Sequence, residues 1–108
     1  MNSIILISNS KSTDVIRINE LVFCKADGSY SVLQFKDNHE ITVTKNLHWF
    51  EEQLSENTFS RTHRSFLVNL NYIAKIFHIE NKLLLTNGVY IPISRSRKIH
   101  LKEAIEML

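Results

Sequence analysis

Short runs of alternating apolar and polar residues, rich in β-branched and aromatic side chains, fill most of this 108-residue chain. Alternation with a period of two places side chains on opposite faces of a β-strand. The pattern predicts strands over Ser3 to Ser8, Val15 to Ile18, Leu21 to Lys25, Tyr30 to Phe35, Ile41 to Thr44, Phe66 to Asn69, Ile73 to Ile79, Leu83 to Thr86 and Val89 to Ile93. The pairs Asp27-Gly28, Asp37-Asn38 and Asn87-Gly88 predict tight hairpin turns. A mostly β fold follows.

Two segments have helical periodicity instead. Asn46 is a plausible N-cap for a short central helix with Leu47, Phe50 and Leu54 on one face. Glu51 and Glu52 are then expected to face water. A C-terminal helix that packs on a sheet edge is predicted from the spacing of Leu101, Ala104, Ile105 and Leu108.

The length of the chain suits one hydrophobic core, so residues 1–108 are predicted to form a single domain. The longest apolar run, Ile4 to Ile7, is far shorter than the roughly 20 residues of a membrane span. A lone cysteine, Cys24, suits a reducing compartment and is simplest as a small core residue. We therefore expect a cytoplasmic protein with no membrane partner.

Catalytic chemistry is not expected. Cys24 and the five histidines show no metal-ligand spacing, and the chain lacks a glycine-rich phosphate loop. Arg61, His63 and Arg64 could imitate a nuclease or phosphotransfer site, but no acidic metal ligands accompany them. The sequence thus predicts neither an enzyme nor a cofactor or metal site.

The charges are unevenly distributed along the chain. Residues 1–60 hold 5 basic and 8 acidic side chains, whereas residues 61–102 hold 8 basic side chains and a single acid, Glu80. A polyanion would bind the second half. Charge alone leaves open the alternative that this asymmetry only makes the surface soluble.

Two basic stretches and one hairpin are the candidate contacts. The run Arg61-Thr62-His63-Arg64-Ser65 is interpreted as a presented loop, in which arginine could pair with guanine and the smaller polar side chains with phosphate. An isolated solvated turn would look the same. Tyr30, beside the Asp27-Gly28 turn, could stack on or hydrogen-bond to DNA, although a core or cross-strand tyrosine is the more common explanation of such a pattern.

The second stretch lies at the start of the last helix. Arg95, Arg97 and Lys98 crowd the positive end of that helix's dipole, where cations cost roughly 0.3 to 1 kcal/mol each. Together with the hydroxyls of Ser94 and Ser96 and free backbone N–H groups, they predict an anion site suited to a DNA phosphate. The alternative is that the unfavourable helix-dipole energy of these cations is small and screened, so that their placement needs no functional cause.

The run Phe59 to Ile73, FSRTHRSFLVNLNYI, strongly resembles the F-x-R-x-H-R-S signature of LytTR DNA-binding domains of bacterial transcription regulators. Val22-Phe23 followed by Ala26 to Tyr30, and Leu85 to Gly88 leading to Ile91 to Arg95, match in the same order. The diagnostic region covers about residues 16–99. Residues 1–14 and the segment after Ile99 are less diagnostic, and the last helix could serve dimerisation as readily as packing.

The resemblance implies elongated antiparallel β-sheets and DNA recognition by loops. It assigns base reading to Tyr30, Arg64 and Arg95, and polar signature positions to His63, Ser65 and Asn69; Asn69 and Arg61 could instead serve loop geometry. It also implies sequence-specific binding of duplex promoter DNA, as the output domain of a bacterial two-component response regulator. The family usually carries a receiver or sensor domain, so this chain is either an excised domain or a stand-alone protein.

A small domain with few base contacts needs help, so we expect a second copy of the chain on repeated half-sites and a monomer off DNA. Phosphates between the reading residues are assigned to Arg61, His63, Arg97 and Lys98. An RNA-binding module or a protein-interaction β-module remains as the alternative. RNA modules expose paired aromatic residues on a sheet face, whereas Tyr30 is the one exposed candidate in the sequence.

Overall fold

The computed structural model describes residues 3–108, so the first two residues of the predicted single domain lie outside the described residues. The strands are β1 Ile4–Ser8, β2 Thr13–Arg17, β3 Leu21–Asp27, β4 Tyr30–Phe35, β5 Glu40–Val43, β6 Phe59–His63, β7 Phe66–Asn69, β8 Ile73–Phe77, β9 Lys82–Leu85 and β10 Tyr90–Pro92. The α-helices are α1 Leu47–Gln53 and α2 Lys98–Glu106. Single 3-10 turns span Ile18–Glu20, Leu70–Tyr72 and Arg95–Arg97. The predicted mostly β fold with two helices is confirmed.

Three antiparallel sheets build the fold. The hairpin β1-β2 forms one, strands in the order β10-β9-β8 form another, and the central sheet has the order β5-β4-β3-β7-β6. The molecule measures 46 × 30 × 24 Å, which confirms the expected elongated shape. Neither α-helix of the described chain has the length and apolar composition that crossing a lipid bilayer requires.

The central sheet is buried on both faces. Its first face packs against the β1-β2 hairpin and α1, and its second face packs against the three-stranded sheet and α2. Strand β3 contributes to both cores because its side chains alternate between two covered faces, and the register shift between Leu21 and Phe23 puts the consecutive residues Val22 and Phe23 in the same core. Leu21 and Cys24 enter the first core, and Phe23 enters the second. The cover on both faces explains why four consecutive residues of β3 are buried.

The predicted turns are where the sequence indicated them. Gly28 has a φ of 60° and Gly88 a φ of 88°, and Asn38 adopts the same left-handed region at 70°. Asp27 pairs with Tyr30, so Gly28 is the first of two loop residues, where a type II′ turn needs positive φ. Asn81, with a φ of 52°, forms a turn that was not predicted. The strand expected to reach Ile79 therefore ends at Phe77.

The helices have the predicted anchors. Asn46 is the N-cap of α1, and its Oδ1 accepts a hydrogen bond from the Trp49 backbone N–H at 2.9 Å. Helix α2 begins at Lys98 and buries Leu101 in the second core, whereas Leu108 is largely exposed. Cys24 is a core residue as predicted, and burial raises the pKa of its thiol well above the ordinary value.

Replacing Phe50 by alanine tests how α1 is held on the sheet. The Phe50 side chain is fully buried in the first core, so Phe50→Ala should lower the free energy of unfolding by about 3–5 kcal/mol. Chemical denaturation followed by circular dichroism measures the loss. His48→Ala, on the exposed face of the same helix, is the control and should change stability by less than about 0.5 kcal/mol. Equal effects of the two variants would contradict this packing.

Candidate nucleic-acid interface

The stretch that was interpreted as a presented loop is mostly a strand. Residues Phe59–His63 form β6, an edge strand of the central sheet, and only Arg64 and Ser65 form the turn into β7. The prediction of a loop over Arg61 to Ser65 was therefore wrong in extent. An edge strand pairs on one side only, and this one carries polar side chains that lack the apolar alternation of the other strands.

Thr62 interrupts the pairing of β6 with β7. Arg61 pairs with Leu67 and His63 pairs with Phe66, so Thr62 is the extra residue of a β-bulge. Its backbone carbonyl faces away from β7 and accepts a hydrogen bond from the Ser94 backbone N–H at 2.8 Å. This contact places the second basic stretch directly beside the first.

The side chain of Arg61 holds the Arg64-Ser65 turn from inside. Its Nε donates to the His63 carbonyl at 3.1 Å, and its Nη2 donates to the Arg64 carbonyl. Its Nη1 forms an ion pair with Glu51 Oε1 at 3.0 Å. Only 17% of the side chain is exposed, so Arg61 has the loop-geometry role that was the alternative to a phosphate contact. Glu51 is exposed, as expected, and this ion pair is an additional contact that the sequence did not predict.

The other residues of the turn face outward or are oriented by it. His63 Nδ1 accepts a hydrogen bond from the Ser65 backbone N–H at 3.1 Å, which leaves the proton on Nε2 as an available donor. Arg64 is exposed, and the structure gives its side chain no hydrogen bond or ion pair to the described residues. The Arg64 side chain is therefore available to a ligand, while Arg61 holds the Arg64 backbone in place.

The Tyr30 hairpin lies next to this turn. The Ala26 backbone N–H donates to the Ser65 carbonyl at 2.8 Å, which extends the pairing of β3 with β7. Because Asp27 pairs with Tyr30, the hairpin and the Arg64-Ser65 turn share one end of the central sheet. Tyr30 is 49% exposed, so it is not a core tyrosine, but its pairing with Asp27 gives it the cross-strand position that the sequence also allowed.

The backbone segments that carry Tyr30, Arg64 and Arg95 follow one another in a line across that end of the sheet. The order runs from β4 through β3, β7 and β6 to the segment at Ser94, which covers four strand spacings, or roughly 19 Å. Arg95 and Ser96 are exposed in the 3-10 turn that precedes α2. The line is slightly longer than half a turn of duplex DNA, about 17 Å. The sheet therefore brings the three predicted reading residues onto one surface.

Four predicted contacts have little to offer a ligand on this surface. Asn69 is buried; its amide donates to the Leu21 carbonyl at 2.9 Å and its Oδ1 accepts from the Asn71 N–H at 3.0 Å. This is the structural alternative for Asn69. The hydroxyl of Ser94 is buried beside Thr62, so it does not face solvent as the anion-site prediction required. The third predicted contact is Arg61, whose guanidinium donates to the carbonyls of the Arg64-Ser65 turn. The fourth is Lys98.

Lys98 was predicted to hold a phosphate. In the structure its ammonium donates to the His78 carbonyl at 2.7 Å and to Asn81 Oδ1 at 3.0 Å. Asn81 is the residue with positive φ in the turn between β8 and β9. Lys98 therefore fastens this turn to the start of α2. Arg97 is half-buried and lines a groove of about 460 Å³ between α1, β6 and α2, together with Glu51 and Glu103.

Two lysines at the same end of the sheet were missed from the sequence. Lys25 pairs with Phe66, the residue that follows the Arg64-Ser65 turn (the reading turn), and its ammonium lies 6.0 Å from the Phe66 ring centroid. Lys45 follows β5, whose Val43 pairs with Ser31 beside Tyr30. Its ammonium lies 5.3 Å from the Trp49 ring centroid. Both lysines could have been found from the sequence. Counting residues outward from a predicted hairpin turn along its two strands shows which residues lie at the same end of the sheet.

No group of histidine, cysteine and acidic side chains suited to a metal ion occurs in the part of the chain that the structure describes. The buried Cys24 thiol lies in the first core, away from this surface. The side chains collected here are hydrogen-bond donors and cations. That chemistry suits an anionic polymer with base edges to read.

Comparison with known proteins gives a consistent result. The family model for the LytTr DNA-binding domain matches residues 11–106. The chain is 30% identical over 105 residues to the sensory transduction protein LytT of Bacillus subtilis (strain 168), covering 94% of this chain and 43% of that protein. It is 32% identical over 74 residues to the transcriptional regulatory protein LytR of Staphylococcus aureus (strain N315), covering 66% of this chain and 30% of that protein.

The fold also matches a solved structure. A LytTr DNA-binding domain from Bacillus cereus superposes with a TM-score of 0.80 at 22% identity, covering 97% of this chain and 98% of that one. This likeness supports the arrangement of sheets described above. The chain spans less than half the length of LytT and LytR, so those relatives contain further sequence beyond the matched domain.

Lys98→Gln tests whether the Lys98 side chain stabilises the β8–β9 turn, a role that a residue serving only as a phosphate contact would not have. Losing the two hydrogen bonds to the β8–β9 turn should lower the free energy of unfolding by about 1 kcal/mol. Lys102→Gln removes the same charge from the exposed side of α2 and should leave stability within about 0.5 kcal/mol of the parent. Denaturant unfolding of the two variants measures the difference, and matching stabilities would argue against the fastening role.

Proposed function

The chain belongs to the LytTr DNA-binding domain family, and from that premise we propose how it binds duplex DNA in the regulation of transcription. Arg64 and Arg95 each read a base pair in the major groove, and Tyr30 contacts the same duplex at the other end of the line. The hydrogen bond between the Ser94 N–H and the Thr62 carbonyl carries this proposal, because it joins the two basic segments into one surface.

Exposure and freedom from internal partners select the reading residues. Arg64 and Arg95 are both exposed, and arginine can make paired hydrogen bonds to guanine that discriminate by roughly 1 to 3 kcal/mol. The available Nε2 proton of His63 and the exposed hydroxyl of Ser96 suit phosphate oxygens. Arg61, Asn69 and Lys98 support the backbone behind these residues.

Positive charge along the reading line supports phosphate contacts. Arg97 lies beside Arg95 at one end, Lys45 lies beyond Tyr30 at the other, and Lys25 lies on β3 between Tyr30 and Arg64. The two lysine ammonium groups lie near aromatic rings and form no ion pair with a described carboxylate. Each contact of this kind adds affinity that falls with salt, because phosphate binding releases condensed counterions.

We further propose that the domain is the output part of a longer bacterial response regulator. LytT and LytR carry names for sensory transduction and transcription regulation, and each is more than twice as long as the matched region. A receiver or sensor domain would supply the signal. Acting on the chromosome, such a regulator works in the cytoplasm, and residues 1–108 behave as one domain.

A second copy on a repeated half-site completes the proposal. A single small module buries only about 600–1,000 Å² against DNA, which limits both affinity and the number of base pairs read. Two copies on neighbouring half-sites add their contacts through effective concentration. Sedimentation of the domain with duplexes carrying one or two half-sites would give the stoichiometry directly.

Arg64→Ala and Arg95→Ala test the reading assignment. After selection of bound duplexes from a random pool defines the site, each variant should lose roughly 1 to 3 kcal/mol on it and relax preference at one base pair, a different one for each variant. Arg17→Ala is the control, because Arg17 precedes β3 at the opposite end of the central sheet. Parent-like binding by both reading variants at matched salt would sink the assignment. A preference for single-stranded RNA over the selected duplex would favour the RNA-module alternative.

The two lysines are tested by salt dependence. Lys25→Gln and Lys45→Gln should each weaken binding to all duplexes and lower the slope of log K against log salt by about 0.9. Lys36→Gln removes the same charge at the far end of β4 and should leave the slope unchanged. A titration of each variant between 50 and 200 mM salt, roughly the range where such contacts matter, separates them. Identical slopes for Lys25, Lys45 and Lys36 variants would remove the two lysines from the interface.

A further inference from the structure

Glu51 lies outside the DNA-facing surface and forms an ion pair with Arg61, whose side chain holds the Arg64-Ser65 turn. It lies on α1, ten residues before Arg61, and its Oε1 is 3.0 Å from Arg61 Nη1. The Glu51 side chain is 41% exposed, whereas Arg61 is 17% exposed. The ion pair is thus at the border between solvent and the packed interior.

The Arg61 guanidinium divides its donors among three acceptors. Nη1 pairs with Glu51, Nε with the His63 carbonyl and Nη2 with the Arg64 carbonyl. Neither Arg64 nor Ser65 adopts positive φ, so this two-residue turn does not use the backbone geometry that favours tight hairpins. The orientation of the turn therefore depends on the guanidinium that satisfies its carbonyls.

We propose that Glu51 is a positioning residue that sets base discrimination by Arg64, acting through Arg61. The inference rests on the proposed function, in which Arg64 reads a base. An ion pair at Nη1 restricts rotation of the planar guanidinium, so Nε and Nη2 stay directed at the turn. The Arg64 backbone is then held in one pose before DNA binds, which lowers the entropy cost of recognition.

Competing carboxylates give this role a physical basis. The groove of about 460 Å³ that Glu51 and Arg61 line is also lined by Glu56 and Glu103. Without the Glu51 charge, the Arg61 guanidinium has other acids toward which it can turn. Turning would withdraw Nε and Nη2 from the two carbonyls and release the turn.

The position of Glu51 is itself fixed by the core. Leu47 and Phe50 of α1 are buried against the central sheet, and Phe50 immediately precedes Glu51. Helix α1 therefore carries the carboxylate at a constant distance from β6. The reading turn is coupled to a helix that does not contribute a side chain to the DNA-facing line.

Glu51→Gln tests the inference, with Glu52→Gln as a matched control. Glu52 is the next residue, pairs with His48 at 2.7 Å, and loses the same charge when replaced by glutamine. Discrimination is measured as the ratio of Kd values for duplexes with the wrong and the right base pair. Glu51→Gln should lower that ratio roughly 3- to 10-fold at the Arg64 base pair, and Glu52→Gln should leave it unchanged.

Two further measurements distinguish positioning from general loosening. Discrimination at the Arg95 base pair should be preserved in Glu51→Gln, because Arg95 is not held by Arg61. In an Arg64→Ala background, Glu51→Gln should cause no additional loss at the Arg64 base pair. All titrations are made well below the unfolding midpoint of each variant, so that the folded domain is compared throughout.

The outcomes separate the two proposals. If Arg64→Ala keeps full discrimination, the reading assignment fails and this inference fails with it. If Arg64→Ala loses discrimination and Glu51→Gln does not, the inference alone is overturned. Equal losses at the Arg64 and Arg95 base pairs, or an additional loss in the Arg64→Ala background, would also overturn it.

Discussion

Strand β3 lies in the middle of the central sheet and supplies side chains to the cores on both of its faces. Alternation of side chains between two covered faces makes this possible, and the bulge at Val22 places the consecutive residues Val22 and Phe23 in the same core. Burial on both faces fixes the register of the neighbouring strands, since a slip of one residue would exchange the side chains that fill the two cores. Every turn at the end of this sheet therefore occupies a defined position.

The recognition surface depends on that register through a few backbone hydrogen bonds. The Ala26 N–H to Ser65 carbonyl contact sets the hairpin beside the reading turn, and the Ser94 N–H to Thr62 carbonyl contact sets the helix start beside β6. The sheet holds the loops at fixed intervals along one end of its strands, much as a recognition helix holds its side chains at fixed intervals along one face.

Much of this architecture could be predicted from the sequence. Local signals sufficed for the turns at Gly28, Asn38 and Gly88, for the Asn46 cap and for most strands, because each depends on residues close in the chain. Strand β6 was missed since its polar side chains resemble a loop. Its pairing with β7 is visible only once the sheet is assembled.

The roles of several site residues could not be predicted for the same reason. Asn69 is 48 residues from Leu21, whose carbonyl it binds, and Lys98 is 20 residues from His78. A motif indicates that such residues are constrained, but it does not show which contact constrains them. Whether a conspicuous polar side chain faces a ligand or its own backbone is decided by contacts between distant segments.

The absence of glycine from the turn at Arg64 and Ser65 has an evolutionary consequence. Because Arg61 and the Thr62 bulge shape this turn, position 64 needs no special φ and no buried contact. Its side chain can change from one residue type to another at little cost to folding. With Arg64 as the proposed base-reading residue, single substitutions at this point would change operator preference while the scaffold that presents the residue stays the same.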